Sequence, residues 1–149
     1  MKIEDEIKGR FRNEFQKGYI NLVYTEKQLS YQFLQFLKTH GLSEPQYNIL
    51  RVIRGARTVN HVSIGYLKER MLDKNSDVSR IIDKLFDKKY VTRKENSIDR
   101  RQKEISISTK GLALLSELDS CEKKADSMLK NLTLEEVTEL NRLLDKARG

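Results

Sequence analysis

The chain of 149 residues contains one cysteine and one proline, and aromatic residues make up only 7% of it. A lone cysteine, Cys121, excludes an internal disulfide framework. Its residue type fits a small buried apolar side chain, with an intermolecular disulfide or a redox-sensing thiol as alternatives. No apolar run approaches the roughly 18–20 residues that span a bilayer, so no membrane partner is expected. The opening residues, MKIEDEIKGR, hold no apolar core of a secretory signal, and a cytoplasmic location is expected. There is no glycine-rich phosphate loop, no HExxH and no C-x-x-C, so neither catalytic residues nor an enzymatic activity is expected. His40, His61 and Cys121 lack ligand-like spacing, which argues against a metal, and no other cofactor is expected. Repeats, low-complexity tracts and proline- or serine-rich linkers are missing as well. The length suits one structural domain with its own core.

Charge is what the chain has in abundance. Charged residues make up 34% of it and the net charge is +7. From Lys74 to Lys110 there are 11 Lys/Arg against 6 Asp/Glu, so this quarter of the chain holds a surplus of 5, most of the excess. A basic balance suits nucleic acid or an anionic membrane surface.

Apolar periodicity orders the elements. Residues 4–39 read as helix, with Phe11, Phe15 and Tyr19 recurring every four residues and Leu29, Phe33, Phe36 and Leu37 continuing the stripe. A capping box at Thr25–Gln28 leaves open whether this is one helix or two. Gly41 is placed to end it. Ser43, Pro45 and Gln46 start a short helix with Tyr47, Leu50, Val52 and Ile53. A brief extended piece at 58–62 follows. Ser63 then caps a helix with Ile64, Leu67, Met71 and Leu72 inside.

The segment DKNSDVSRIIDKLFDKK predicts a helix over Asn75–Lys88. Val78, Ile82, Leu85 and Phe86 share its buried face, and Ser76, Arg80, Asp83 and Asp87 face away. YVTRK (90–94) and EISIS (104–108) are strand candidates joined by a loop that carries Asp99, Arg100 and Arg101. A helix bearing Leu115, Leu118, Cys121, Ala125, Met128 and Leu132 follows. Thr133–Glu136 then caps a last one with Leu134, Val137, Leu140, Leu143, Leu144 and Ala147.

Short helices, of which the last is the most regular, followed by a hairpin with a basic tip, make a winged helix-turn-helix. The expected fold class is therefore mainly α with a small β-hairpin wing (α+β). A helix fits the major groove of B-DNA and a narrow arginine loop fits the minor groove. Ser76, Ser79 and Arg80 are expected near base edges and phosphates, with the helix N-terminus offering amides to a phosphate. The acids of this helix are expected to lie away from DNA or to pair with Lys84 and Lys88. Asp99 is expected to hold a neighbouring guanidinium in one rotamer.

The run Ser76-x-Val78-x-Arg80, Leu85, Val91-x-Arg93, Asp99-Arg100-Arg101 and Ser108-x-x-Gly111 resembles the MarR family of bacterial winged-helix regulators, over about residues 43–111. The resemblance implies a recognition helix carrying Asn75, Ser76, Ser79, Arg80 and Lys84, and a wing carrying Asp99, Arg100 and Arg101. It implies DNA-backbone contacts from the helix at Ser63 and from Arg93. It also implies that residues 1–40 and 112–149 pair across a two-fold axis as dimerisation helices flanking the 43–111 region. One departure is Lys89, where the family usually has glycine.

The implied function is a homodimeric, sequence-specific transcriptional regulator on an inverted repeat of double-stranded DNA, with repression the expected mode. Relatives bind small, often aromatic, ligands. Tyr19, Tyr24, Tyr31, Phe33 and His40 are the candidates to line such a pocket, although aromatics at this spacing also serve as core. The rival reading is a winged-helix module for protein interaction or non-specific DNA binding.

Overall fold

The computed structural model describes residues 1–56, 59 and 61–149, with the backbone alone for Cys121, Glu122 and Ala125. Seven helices and one hairpin are seen among these residues: α1 (Ile3–Ile7), α2 (Glu14–Thr39), α3 (Glu44–Gly55), α4 (Ile64–Arg70), α5 (Val78–Asp87), β1 (Val91–Glu95), β2 (Lys103–Ile107), α6 (Thr109–Met128) and α7 (Leu134–Arg148). The expected class, mainly helical with a β-hairpin wing, is the observed one.

The N-terminal region resolves into a short and a long helix. The break is not at Thr25, whose hydroxyl stays inside α2 and reaches Asn21 Oδ1. It lies at Lys8, left-handed at φ 51°, and α2 restarts on Asn13, whose side chain accepts the N–H of Gln16. Phe11 falls in this break. The short α1 folds back on α2. Its Ile3 is buried, and Glu4 pairs with Lys17 at 2.6 Å, which holds the Glu4 carboxyl below its usual range and raises the Lys17 ammonium. The end of α2 is a Schellman turn. Gly41 sits at φ +69°, Leu42 N–H returns to Leu37 O at 3.2 Å, and Gly41 N–H to Lys38 O at 3.1 Å.

The core lies in the middle of the chain. Ile49, Leu50 and Ile53 of α3, Leu67 of α4, and Val78, Ile82 and Leu85 of α5 meet Val91 and Ile105 of the hairpin and Leu115 and Leu118 of α6. Each fully buried aliphatic side chain contributes about 1.5–3 kcal/mol by leaving water. The capping box of Ser43 and Gln46 is formed and Pro45 sits in the first turn, as the sequence signals. Arg54 and Asp119, 2.8 Å apart, tie α3 to α6. Two expected core positions differ. Leu72 lies beyond the end of α4 and is 80% exposed. Phe86 stands about 80° round the helix from Val78, so it flanks the buried face and is only partly covered.

The strands pair antiparallel with Val91 opposite Ile107 and Glu95 opposite Lys103, one residue along from the expected spans. Val62 adds an isolated bridge to Ile105, with both N–H···O bonds at 2.8 Å. Of the expected extended piece 58–62, residues 58 and 60 lie outside the described residues, as do the side chains of Cys121 and Ala125 in the expected α6 stripe.

The outer helices bury little. Helix α7 has no fully buried residue, and Leu134 and Leu143 are exposed. Along α2, Phe15 is 90% and Tyr19 69% exposed, with Leu22 and Tyr31 also open. No helix among the described residues is long and apolar enough to cross a membrane.

Candidate nucleic-acid interface

The helix that the sequence predicts over Asn75–Lys88 is shorter than expected. Asp73 stops the helical start at its N-terminal side by accepting the N–H of Asn75 on its carboxylate, and α5 begins only at Val78. Asn75 and Ser76 therefore precede the helix instead of riding on it. Asn75 is exposed, but the Ser76 hydroxyl oxygen is buried without a hydrogen-bond partner, so Ser76 faces inward and not out with Arg80. At the helix N-terminus, Asp77 Oδ1 accepts the N–H of Arg80 at 3.2 Å, so a carboxylate caps one of the amides expected to face a phosphate.

Beyond that cap, Ser79, Arg80, Asp83, Lys84 and Asp87 form the exposed face of α5. These acids were expected to lie away from DNA or to pair with Lys84 and Lys88, and no pair with either lysine is seen among the described residues. Asp83 is paired with Arg93 of β1, whose guanidinium also lies over the Phe86 ring, 4.3 Å from its centroid. Arg93 thus fastens β1 of the wing to α5, and its charge is committed there. Lys88 donates instead to Gly41 O at 2.7 Å and Gln46 Oε1 at 3.4 Å, anchoring the other end of α5 to the α2–α3 turn.

Lys89 follows in the left-handed region, φ 65°, where the sequence departs from glycine. This strain costs roughly 1 kcal/mol. The turn is held nonetheless: Tyr90 N–H reaches Leu85 O at 3.0 Å, and the Ser108 hydroxyl donates to Lys89 O at 2.6 Å.

The tip of the wing is built on side chains of Asn96 and Asp99. Asn96 Oδ1 accepts the N–H of Ile98 at 2.9 Å and of Asp99 at 3.0 Å, and Asp99 Oδ1 accepts the N–H of Arg101 at 3.0 Å. Asp99 therefore shapes the backbone and does not grip a guanidinium. An amide two residues on lies at a fixed reach, whereas a flexible arginine must first be ordered. At the root, Asn96 Nδ2 donates to Glu104 Oε1 at 2.9 Å, and Glu104 also faces Lys94 at 3.4 Å and His61 at 3.6 Å. Asn96 and Glu104 were not among the expected site residues. The Asn-Ser pair at 96–97, a turn-forming composition, was the available signal.

Arg80, Lys84, Arg100 and Arg101 are exposed and have no ion-pair partner among the described residues. A cleft of about 450 Å³ separates the wing from the helices, and it brings together Ser63, the cap of α4, Gly65 of α4, Ser79 of α5, and Arg101 and Lys103 of the wing. Ser63 caps α4 through the N–H of Tyr66 at 3.1 Å.

The aromatic candidates are not gathered. Tyr19 and Tyr31 are exposed, the Tyr24 hydroxyl donates to Glu6 at 2.9 Å, Phe33 packs edge-on to Tyr47, and His40 lies against Phe36. Phe33 joins the core, and none of the five lines the clefts beside the wing and α4 or between α3 and the α4–α5 turn.

The family model described as MarR family matches residues 40–102, from the α2–α3 turn to the wing. The segment from residue 40 to 102 is thus similar to the MarR family. No curated protein matches the chain.

Among solved structures, a mutant of MarR from E. coli complexed with operator DNA is 23% identical and has a TM-score of 0.78. It covers 93% of this chain and 99% of its own. BpsR of Bordetella bronchiseptica, whose DNA binding is regulated by 6-hydroxynicotinic acid, is 20% identical with a TM-score of 0.78. It covers 94% of this chain and 98% of that one. A MarR transcription factor from Planctomyces limnophilus is 28% identical with a TM-score of 0.68, covering 91% and 98%. The fold is thus that of MarR transcription regulators across nearly the whole chain, a class of proteins that are not enzymes.

Proposed function

We propose that this protein is a homodimeric, sequence-specific DNA-binding regulator acting on an inverted repeat. The observation that carries the reading is the convergence on one face of Ser63, Ser79 and Arg101 around a single cleft, with Arg80, Arg100 and Lys84 exposed and without ion pairs. The acids that would repel phosphate there are partly engaged, Asp77 by the helix amide and Asp83 by Arg93. Ser79 and Arg80 read bases in the major groove, and the wing arginines enter the minor groove.

Support for the dimer comes from α7, which buries none of its residues fully within the chain, and from the open Phe15, Tyr19 and Leu22 of α2. A two-fold partner covering these faces places two recognition helices about 34–36 Å apart, one turn of DNA. Repression is the mode this reading favours, since a dimer bound at a promoter would block access to it. Small-molecule control of the kind known for BpsR has no support from the expected aromatic residues, which stand apart.

Selection of bound duplexes from a random pool, followed by sequencing, tests the reading. An enriched inverted repeat with half-sites one helical turn apart is the expected result. Retained duplexes without a motif would mean non-specific binding through phosphates. No retention at low salt would favour a protein-interaction module.

A further inference from the structure

The wing tip presents an isoleucine. Ile98 is 96% exposed, in the middle of the most basic part of the chain. It is not on a frayed end, since its own N–H is held by Asn96 Oδ1 at 2.9 Å and the next residue's N–H by the same oxygen at 3.0 Å. We propose that Ile98 is a specificity-determining residue: it meets the floor of the minor groove and favours A·T over G·C pairs under the wing. The inference rests on the DNA-binding reading above.

The chemistry follows from what the minor groove displays. A·T and T·A pairs show only acceptors there, while G·C adds the protruding guanine 2-amino group. An apolar side chain against that group takes its space and leaves a donor without water or partner. Against an A·T pair the same side chain meets a smooth floor. Isoleucine is β-branched and stiff at χ1, so little rotamer freedom remains to be lost on binding. Arg100 and Arg101 lie two and three residues on in sequence and supply the cations that draw the tip into a narrow A·T-rich groove. Asp99, the one acid of the tip, has an oxygen turned back on the N–H of Arg101.

The test uses the full chain and a duplex recovered by the selection described above. Each pair flanking the half-sites is replaced in turn by G·C and by inosine·cytosine, which keeps the hydrogen-bonding major-groove edge of G·C but lacks the 2-amino group. The wild type is expected to bind the G·C duplex about tenfold more weakly than A·T at the wing position and to bind inosine·cytosine like A·T. Ile98→Ser should remove that difference, and Ile98→Val should keep it, with unfolding temperatures unchanged because the side chain is exposed.

An undiminished G·C penalty in Ile98→Ser overturns the inference and leaves DNA binding standing. So does inosine·cytosine behaving like G·C in the wild type. Failure of the wild type to retain any duplex at low salt overturns the underlying reading, and the inference with it.

Discussion

The carbonyl oxygen of Tyr90 lies so close over Gly111 that a Cβ on the glycine would stand 2.3 Å from it. The same Cβ would meet Ile107 Cγ1 at 2.8 Å. Ser108 completes the clasp: its N–H bonds Tyr90 O at 3.0 Å, its hydroxyl bonds Lys89 O at 2.6 Å, and its oxygen accepts the N–H of Gly111 at 3.0 Å. The Ser-x-x-Gly spacing thus caps α6 and closes the end of the wing onto the end of the recognition helix.

Gly111→Ala tests the clasp. The nearest obstacle is backbone, which cannot swing aside as a flexible side chain would. A loss of about 2–3 kcal/mol is expected, at the upper end of overpacking costs. Urea unfolding at fixed protein concentration measures it, since a dimer's midpoint moves with concentration. An unchanged midpoint would show that Tyr90 yields freely.

Lys89 offers the opposite experiment. Its φ of 65° suits glycine, and Lys89→Gly relieves the contact between Cβ and carbonyl. Glycine also gains freedom in the unfolded chain, so the net stabilisation should be at most about 1 kcal/mol. Lys89→Val should destabilise, because a β-branched residue is a true outlier there. Glycine proving worse than lysine would mean that the lysine side chain contributes more than its backbone costs.

These two positions show what the sequence disclosed. Helix starts at Ser43, Ser63 and Thr133 were readable because a cap is a local rule, a side-chain oxygen within reach of amides three residues on. The buried face of α5 was readable from periodicity. The start of α5 was not: Asp73 and Asp77 are both capping residues by type, and only the folded chain shows Asp77 accepting the N–H of Arg80 while Asp73 accepts that of Asn75. The partners of Arg93 and Lys88 were not readable either. They lie ten and 47 residues away in sequence, and only the folded arrangement brings Asp83 and Gly41 to them. The aromatic stripe of α2 looked the same whether it faced a core, a ligand or a second chain.

Asp77 separates stability from DNA binding. Asp77→Ala removes the cap of α5 and should cost about 1 kcal/mol. Asp77→Asn keeps an acceptor for the N–H of Arg80 and should stay within about 0.5–1 kcal/mol of wild type, the scale of the lost charge–dipole term. It also removes a negative charge from the end of the recognition helix, so affinity for the selected duplex should rise at low salt. That gain should shrink as salt screens it. Weaker binding by Asp77→Asn on the selected sequence alone would instead make Asp77 an acceptor for a cytosine amino group.

Arg100→Ala combined with Arg101→Ala tests the wing. Both side chains are exposed and have no ion-pair partner among the described residues, so folding should be unaffected. Each phosphate contact contributes about 0.9 to the fall of log K with log salt. If both arginines lie along the backbone, the double variant should flatten that slope by about 1.8 per wing, equally on every duplex. If Arg100 and Arg101 instead sit deep in a narrow minor groove, the loss should be greatest on A·T-rich flanks. Titrations at several salt concentrations on two duplexes that differ only in those flanks distinguish the two. A slope identical to wild type on both would remove the wing arginines from the interface altogether, because no phosphate they neutralise would have been lost.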